Sequence, residues 1–433
     1  MMYHSLNHKA RTSSFKNAVI KGLAPDRGLY FPDRITPIPD RFFREIDKMS
    51  NAEIAYEAIR QFIEPEIDPD SLYRIVEETL SFNFPVKTFN DNLSVLELFH
   101  GPTMAFKDVG ARFMARCLGY FNKNNPETIT VLVATSGDTG GAVAHGFLGV
   151  KGVNVVILYP DGKVSDIQER QLTTLGQNIT ALKVDGVFDD CQDMVKQAFL
   201  DLKLTDTMQL TSANSINVAR WLPQMFYFLF AYKKLYRQYD EIVFSVPSGN
   251  FGNICAAMMA QQMGLPVRPF IASNNENRVV TDFLQSNIYE PKPSIQTISN
   301  AMDVGNPSNF VRIQNIYHND IDILRRNLVS YSYTDDQTRT AMKELYESFD
   351  YIADPHGAVG YLGAMDYLKD HPETHCVFLE TAHPTKFLDV VESTIEKTVE
   401  LPDQIKSIMG KPKSAIAIKS YSELKDFLLS KTD

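Results

Sequence analysis

Apolar runs recur along most of this chain, each ended by a turn and followed by a stretch of helical period. Residues 128–134, Thr-Ile-Thr-Val-Leu-Val-Ala, are β-branched or apolar throughout, as expected of a strand covered on both faces. They lead into Thr135-Ser136-Gly137-Asp138-Thr139-Gly140-Gly141 and then a small-residue helix over 142–149. The unit repeats as a strand over 153–159 with a helix over 165–175 closed by Gly176, and as a strand over 179–184 with a helix over 189–202. A further copy has a strand over 241–246, the turn Pro247-Ser248-Gly249-Asn250-Phe251-Gly252-Asn253, and a helix over 254–263. A late strand, 375–379, runs into Glu380-Thr381-Ala382-His383-Pro384. Such alternation predicts parallel sheets flanked by helices.

The leading residues read differently. A short extended piece over 28–32 follows the stretch 15–25, and helices are predicted over 51–62 and 70–80. The second opens at Pro69-Asp70 and places apolar residues at 72, 75, 76 and 80. Residues 401–433 mix scattered charge with a few apolar positions, enough for a strand and a helix capping the surface. No short repeat or low-complexity segment interrupts the pattern.

With 433 residues the chain has room for two or three domains, and 44% hydrophobic with 22% charged residues is ordinary for a soluble protein. A net charge of −10 argues against nucleic acid or an anionic membrane as the main partner. It also requires any anionic ligand to be held by a locally basic or amide-rich pocket. Cys117, Cys191, Cys255 and Cys376 are far apart, which fits reduced thiols and neither a disulfide framework nor a zinc knuckle. Residues 1–14 lack the apolar centre of a signal peptide. The most apolar run, 221–232, is interrupted by Pro223 and Gln224 and is too short to span a bilayer. The expectation is a soluble, cytoplasmic protein.

Candidate chemistry begins at Phe99-His100-Gly101-Pro102-Thr103-Met104-Ala105-Phe106-Lys107-Asp108, where a lone lysine follows apolar residues and precedes a helix over 108–120. Either Lys107 is exposed after an apolar knob, or its amine is desolvated and so favoured in the neutral, nucleophilic form. The turn Ser248-Gly249-Asn250-Phe251-Gly252-Asn253 lies between a strand and a helix, where glycines let backbone amides approach an anion. It lacks the lysine of a P-loop and the G-x-G-x-x-G of a dinucleotide fold, which argues against ATP and NAD. The hydroxyls and amides of Thr135, Ser136 and Thr139 suit a carboxylate or a phosphate, whereas Asp138 is odd in an anion site unless it caps the helix. Arg112 and Lys163 are the cations placed to meet a phosphate on a substrate, and both are equally ordinary surface residues. His383 before Pro384 reads better as a turn-bound histidine than as a catalytic one.

Taken together, five segments resemble the threonine synthases, within the fold-type II (tryptophan synthase β-like) enzymes that use pyridoxal 5'-phosphate. They are "AVIKGLAPDRGLYFP" near the N-terminus, "HGPTMAFKD", "SGDTG", "NSIN" within the segment Asn214 to Arg220, whose two asparagines are expected to order the wall of the site, and "SGNFGN", in that order over residues 15–390. Two departures are Arg27, where the family more often has Gly, and Asn253, where it often has Asp.

The resemblance implies an α/β fold of two parallel-sheet αβα subdomains with the cofactor between them, plus an N-terminal α+β domain. The expected boundaries are 1–85 for that domain, 86–400 for the catalytic core and 401–433 for a tail packing on it. It further implies conversion of O-phospho-L-homoserine and water to L-threonine and phosphate, the work of a carbon–oxygen lyase acting on phosphates. Lys107 would carry the cofactor as a Schiff base and shuttle protons. Gly249, Asn250, Phe251 and Asn253 would hold the cofactor phosphate, and Thr381 would face the pyridine nitrogen. Thr135, Ser136, Asp138 and Thr139, with Arg112 and Lys163, would bind substrate. No metal is implied, and monomer and homodimer both stay open. The rivals are another enzyme of this fold type, such as a threonine dehydratase or cysteine synthase, and a non-catalytic relative. The leading unit and Asp138 argue against the first, and an intact Lys107 against the second.

Overall fold

The continuous apolar strand forms as Ile129–Ala134, buried at every position, as an interior strand of a five-stranded parallel sheet. The computed structural model describes residues 1–123, 125 and 127–431. The order in this sheet is Ile416–Ile418, Ile179–Val184, Val153–Pro160, Ile129–Ala134, Gln209–Ser212. A second sheet has six strands in the order Leu328–Ser332, Phe270–Asn274, Ile242–Pro247, His375–Glu380, Leu93–Glu97, Val86–Asn90. Only its last strand runs antiparallel to its neighbour, and it is also the strand without a buried residue. A tight hairpin can reverse an edge strand where a crossover cannot.

The predicted helices form with small shifts at their ends. The helix expected over 189–202 is two, Phe188–Leu200 and Leu202–Thr207, because Asp201 breaks the first and caps the second through Lys203 N–H. The strands Val86–Asn90, Leu93–Glu97, Gln209–Ser212, Phe270–Asn274 and Leu328–Ser332 were not evident from the pattern. They are short and three of them carry Ser or Asn on a buried face.

The N-terminal residues build a three-stranded antiparallel sheet, Ser13–Ser14, Met2–Ser5 and Tyr30–Pro32, with helices Phe15–Lys21, Asn51–Ile63 and Pro69–Thr79. Ser50 and Glu53 form a reciprocal capping box, and Asp68 caps the third helix ahead of Pro69. Arg27 has φ 66°, the left-handed region that favours glycine, so a side chain is carried there at a conformational cost. At the other end, Asp403–Met409 and Tyr421–Leu429 flank strand Ile416–Ile418, and Leu424 and Leu428 pack with Cys191 and Ala198. All four cysteines are buried and free. Among the described residues no helix is long and apolar enough to cross a membrane.

Arg312 fastens the N-terminal unit to the core. Its guanidinium is fully buried, donates to Tyr30 O (3.0 Å), Ile216 O (2.6 Å) and Asn309 Oδ1 (2.6 Å), and lies 4.3 Å from the Trp221 ring centroid. Arg312→Met should leave these acceptors unpaired. We expect about 3 kcal/mol of lost stability, the scale of a hydrogen bond to a charged group, read as a lower midpoint in urea melts.

Candidate active site

The loops that leave the carboxyl ends of the two sheets converge on one cavity of about 410 Å³. Lys107 lies at its wall as the first residue of helix Lys107–Asn122. The loop before it is zipped to the segment after strand His375–Glu380: Phe106 N–H donates to Thr381 O (2.9 Å), His383 N–H to Met104 O (3.0 Å), and Ala105 bridges Ala382. Thr103 donates both its N–H (2.9 Å) and its hydroxyl (2.6 Å) to the Asp108 carboxylate. The Lys107 amine itself has no hydrogen bond or ion pair among the described residues, and the Phe106 ring lies 5.7 Å away. Burial holds it below the ordinary lysine value; Asp138 opposes this, and Lys386 and Arg220 add to it. Burial thus makes its ammonium easier to deprotonate than that of an ordinary lysine, which is what a lysine that attacks a carbonyl needs.

Across the cavity, Gly249, Asn250, Phe251, Gly252 and Asn253 form the turn before helix Gly252–Gln262. Phe251 is left-handed at φ 59°, and the amides of Gly249, Asn250, Phe251 and Gly252 donate no hydrogen bond among the described residues. Free amides at a helix start make an anion cradle. A Cβ on Gly249 would lie 2.7 Å from Met302 Cα and 2.9 Å from Ala301 O, so only glycine fits against that wall. Asn253 does not cap the helix, since Phe251 holds that position; its side-chain amide instead donates to Pro247 O (2.9 Å).

Thr135, Ser136 and Thr139 line the same cavity from the other sheet, at the start of helix Asp138–Phe147. Thr135 Oγ1 accepts from Gly137 N–H (2.9 Å) and Gly140 N–H (2.8 Å), which fixes the turn. Asp138 corrects the sequence reading twice. It neither caps the helix, whose cap position is Gly137, nor lines the cavity as a substrate ligand would. Its carboxylate is buried against Lys386 Nζ (2.7 Å) and Gln168 Nε2 (3.0 Å).

Of the two cations proposed for a substrate phosphate, Lys163 lines the cavity and has no ion-pair partner among the described residues. Arg112 is misassigned. Its guanidinium donates to Glu78 O (2.6 Å), Thr79 O (3.3 Å) and Ser81 Oγ (2.8 Å), so it ties down the carbonyl end of helix Pro69–Thr79. Five residues advance a helix by about 140° beyond a full turn, which turns Arg112 away from the face of Lys107. A second cation that reaches the cavity beside Lys163 is Arg220, 2% exposed, with Nε unpartnered among the described residues. It stands three residues after Asn217 in the segment already singled out, and Gly110 leaves room for its backbone on the lysine helix.

Asn214 lines the cavity and donates to Ala134 O (3.2 Å), whereas Asn217 is buried beneath it on Val19 O and Ser212 O. His383 is turn-bound through Thr385 and stays out of the cavity wall; burial pushes it down to about 4. His356 was not anticipated. It lies at the wall, accepting from Ala301 N–H (3.1 Å) on Nε2 with Asp354 on Nδ1 (3.2 Å), which fixes its tautomer and the segment against Gly249.

Comparison with known proteins gives these features a family. The family described as "Pyridoxal-phosphate dependent enzyme" matches residues 85–382, "Threonine synthase N terminus" matches residues 2–80, and "Threonine synthase, C-terminal" matches residues 357–428. A threonine synthase of Escherichia coli is 42% identical over 409 residues, covering 93% of this chain and 93% of its own. The crystal structure of threonine synthase from that organism superposes with a TM-score of 0.92 at 38% identity, covering all of both chains. A PLP-bound threonine synthase from Brucella melitensis gives a TM-score of 0.93 at 33% identity, over 100% of this chain and 99% of its own.

The cavity fits such a cofactor. It offers an unpaired amine, a cradle of free amides, the Thr381 hydroxyl with no partner among the described residues, and the orphaned Asn300 Oδ1. Gly249→Ala should force the 301–302 backbone away from the cradle. Cofactor retention through dialysis, followed by visible absorbance, should fall about tenfold or more, with the fold intact by circular dichroism.

Proposed function

This chain belongs to the threonine synthase family of pyridoxal-phosphate-dependent enzymes, and from that premise we propose that it converts O-phospho-L-homoserine and water to L-threonine and phosphate, as a carbon–oxygen lyase, with Lys107 as the lysine that carries the cofactor. The observation that carries this reading is the unpaired Lys107 amine facing a cradle of free amides across a single cavity.

When bound, pyridoxal phosphate supplies an electron sink that stabilises negative charge developed on substrate carbon. Lys107 Nζ then moves the protons. Once its amine is free, it takes them from Cα and Cβ, the Cγ–O bond breaks as phosphate leaves, and a proton returns to Cγ; water then adds its hydroxyl at Cβ and a proton returns to Cα, while the remaining proton of water leaves on the phosphate. Ser136 and Thr139 are assigned to the substrate carboxylate, on a turn whose geometry Thr135 fixes. Arg220 and Lys163 are assigned to the substrate phosphate, a dianion that amides alone serve poorly. The Thr381 hydroxyl, free and at the wall, can offer one hydrogen bond to the ring nitrogen but cannot hold a proton there as a carboxylate would. The segment bearing Asn300, Ala301 and Met302 lines the cavity and packs directly on Gly249 of the cradle.

Release of phosphate from O-phospho-L-homoserine, with threonine as the organic product, is the direct test; deamination of threonine or serine without phosphate release would favour a dehydratase instead. Lys107→Ala should abolish turnover and the covalent link to the cofactor. Borohydride trapping on a different lysine would reassign the role. Arg220→Gln should raise KM for O-phospho-L-homoserine by the 1.5 to 3 kcal/mol of a charge-assisted hydrogen bond, about ten- to 150-fold, while Arg112→Gln leaves KM unchanged. Equal effects from the two substitutions would remove Arg220 from the site.

A further inference from the structure

The buried ion pair behind Lys107 has no place in the mechanism above. Lys386 lies in the turn of helix Pro384–Phe387, downstream of Thr381, and is 0% exposed. Its amine reaches Asp138 Oδ1 (2.7 Å) and Thr103 O (2.9 Å). Thr103 belongs to the loop that carries Lys107, and Asp138 to the start of helix Asp138–Phe147 on the other sheet. Gln168 Nε2 also donates to Asp138 Oδ1 (3.0 Å), and Gln171 Nε2 to Thr103 O (3.1 Å). The second oxygen of Asp138 accepts nothing among the described residues. A buried carboxylate with a free oxygen attracts any ammonium within reach.

We propose that Lys386 is a positioning residue for the reaction: by holding Asp138 in this ion pair it withholds the carboxylate from Lys107, so that the Lys107 amine stays unpaired and free to react. The inference rests on Lys107 being the cofactor lysine, as read above. The charged groups that act on Lys107 are Asp138, Lys386 and Arg220. Only Asp138 favours its ammonium. Against the cost of its own burial, Asp138 is held well below the usual carboxylate range, by Lys386 first and by Lys107 after it. The other titratable groups that feel Lys386 do not compete: Asp108 is occupied by Thr103, and burial pushes His145 and His383 down to about 4, leaving both neutral.

The test follows how fast pyridoxal phosphate, added to the cofactor-stripped full chain, forms its covalent complex, between about pH 6 and about pH 10. The rate tracks the neutral fraction of Lys107, a readout independent of turnover. Lys386→Met should move the midpoint up by about one pH unit and slow loading about tenfold below it. The double variant Asp138→Asn/Lys386→Met, neutral at both positions, should return the midpoint to wild type. Asp138→Asn alone should lower it, and this arm decides the matter even where Lys386→Met does not accumulate as folded protein. A wild-type midpoint in Lys386→Met, a raised one in the double variant, or an unchanged or raised one in Asp138→Asn each overturns the proposal. Borohydride mapping of the link separates the two levels. A link at Lys107 with an unmoved midpoint sinks the role of Lys386 alone, and a link at another lysine sinks the premise with it.

Discussion

A lysine amine that must react has to lie out of water, near carboxylates that build the fold, without being captured by any of them. Much of the polar architecture around Lys107 meets that constraint, and each carboxyl meets it differently. Asp108, next in sequence, has both oxygens taken by Thr103. Asp138 is tied to Lys386 and Gln168. Burial, and Asp354 after it, push the Glu380 carboxyl, one residue before Thr381, far up; one of its oxygens accepts from Asp354 N–H (2.6 Å). Against burial, His100 and Lys87 hold Glu97 ionised, each at 2.7 Å. Of these acids only Asp138 acts on Lys107, and its carboxylate is already engaged by Lys386 and Gln168.

The same constraint explains why the site lies between two sheets rather than in one. Lys107 enters from the six-stranded sheet, after strand Leu93–Glu97, and the amide cradle leaves that sheet after Ile242–Pro247. The hydroxyl-bearing turn comes from the five-stranded sheet after Ile129–Ala134. Parallel strands deliver all of these at one end, where loops can vary without disturbing the core. Tyr227, on a helix buried between the units, fixes the lysine loop from below by donating to Phe106 O (2.6 Å). Arg312 plays a similar part for the N-terminal unit.

What was legible in the sequence is what contiguous residues determine. The β-branched strand ending at Ala134 and the glycine turns at Gly137 and Gly249 appear in the structure where the pattern put them, because period and turn chemistry are local. Pairings across the fold were not legible. Arg112 was chosen for nearness in sequence to Lys107, yet helical geometry turns it onto the end of a neighbouring helix. Arg220 stood in a flagged segment but was passed over in favour of its asparagines, and its burial could not be read from four helical residues. Lys386 followed a His-Pro pair that drew attention to itself; only the folded chain shows that its amine crosses to the other sheet. Asp138 looked like a cap because the residue type suits one, while the backbone gave that position to Gly137.

One further consequence concerns charge. The chain carries a net −10, and the reading proposed here brings three anionic groups into one cavity: a cofactor phosphate, a substrate carboxylate and a substrate phosphate. The wall offers Lys107, Lys163 and Arg220 as cations. Lys107 is given to the covalent link, and on that reading the amide cradle with its helix start would serve the first phosphate without a side-chain charge. That leaves Lys163 and Arg220 for the substrate. Arg220, buried and held to Ala213 O with Nε free, is pre-oriented, while Lys163 stands exposed on the turn after strand Val153–Pro160. On that reading, a buried inner cation and an exposed outer one would suit a group that must be bound firmly and then released as inorganic phosphate. The inner charge would position the leaving group, and the outer one would meet it on its way to solvent.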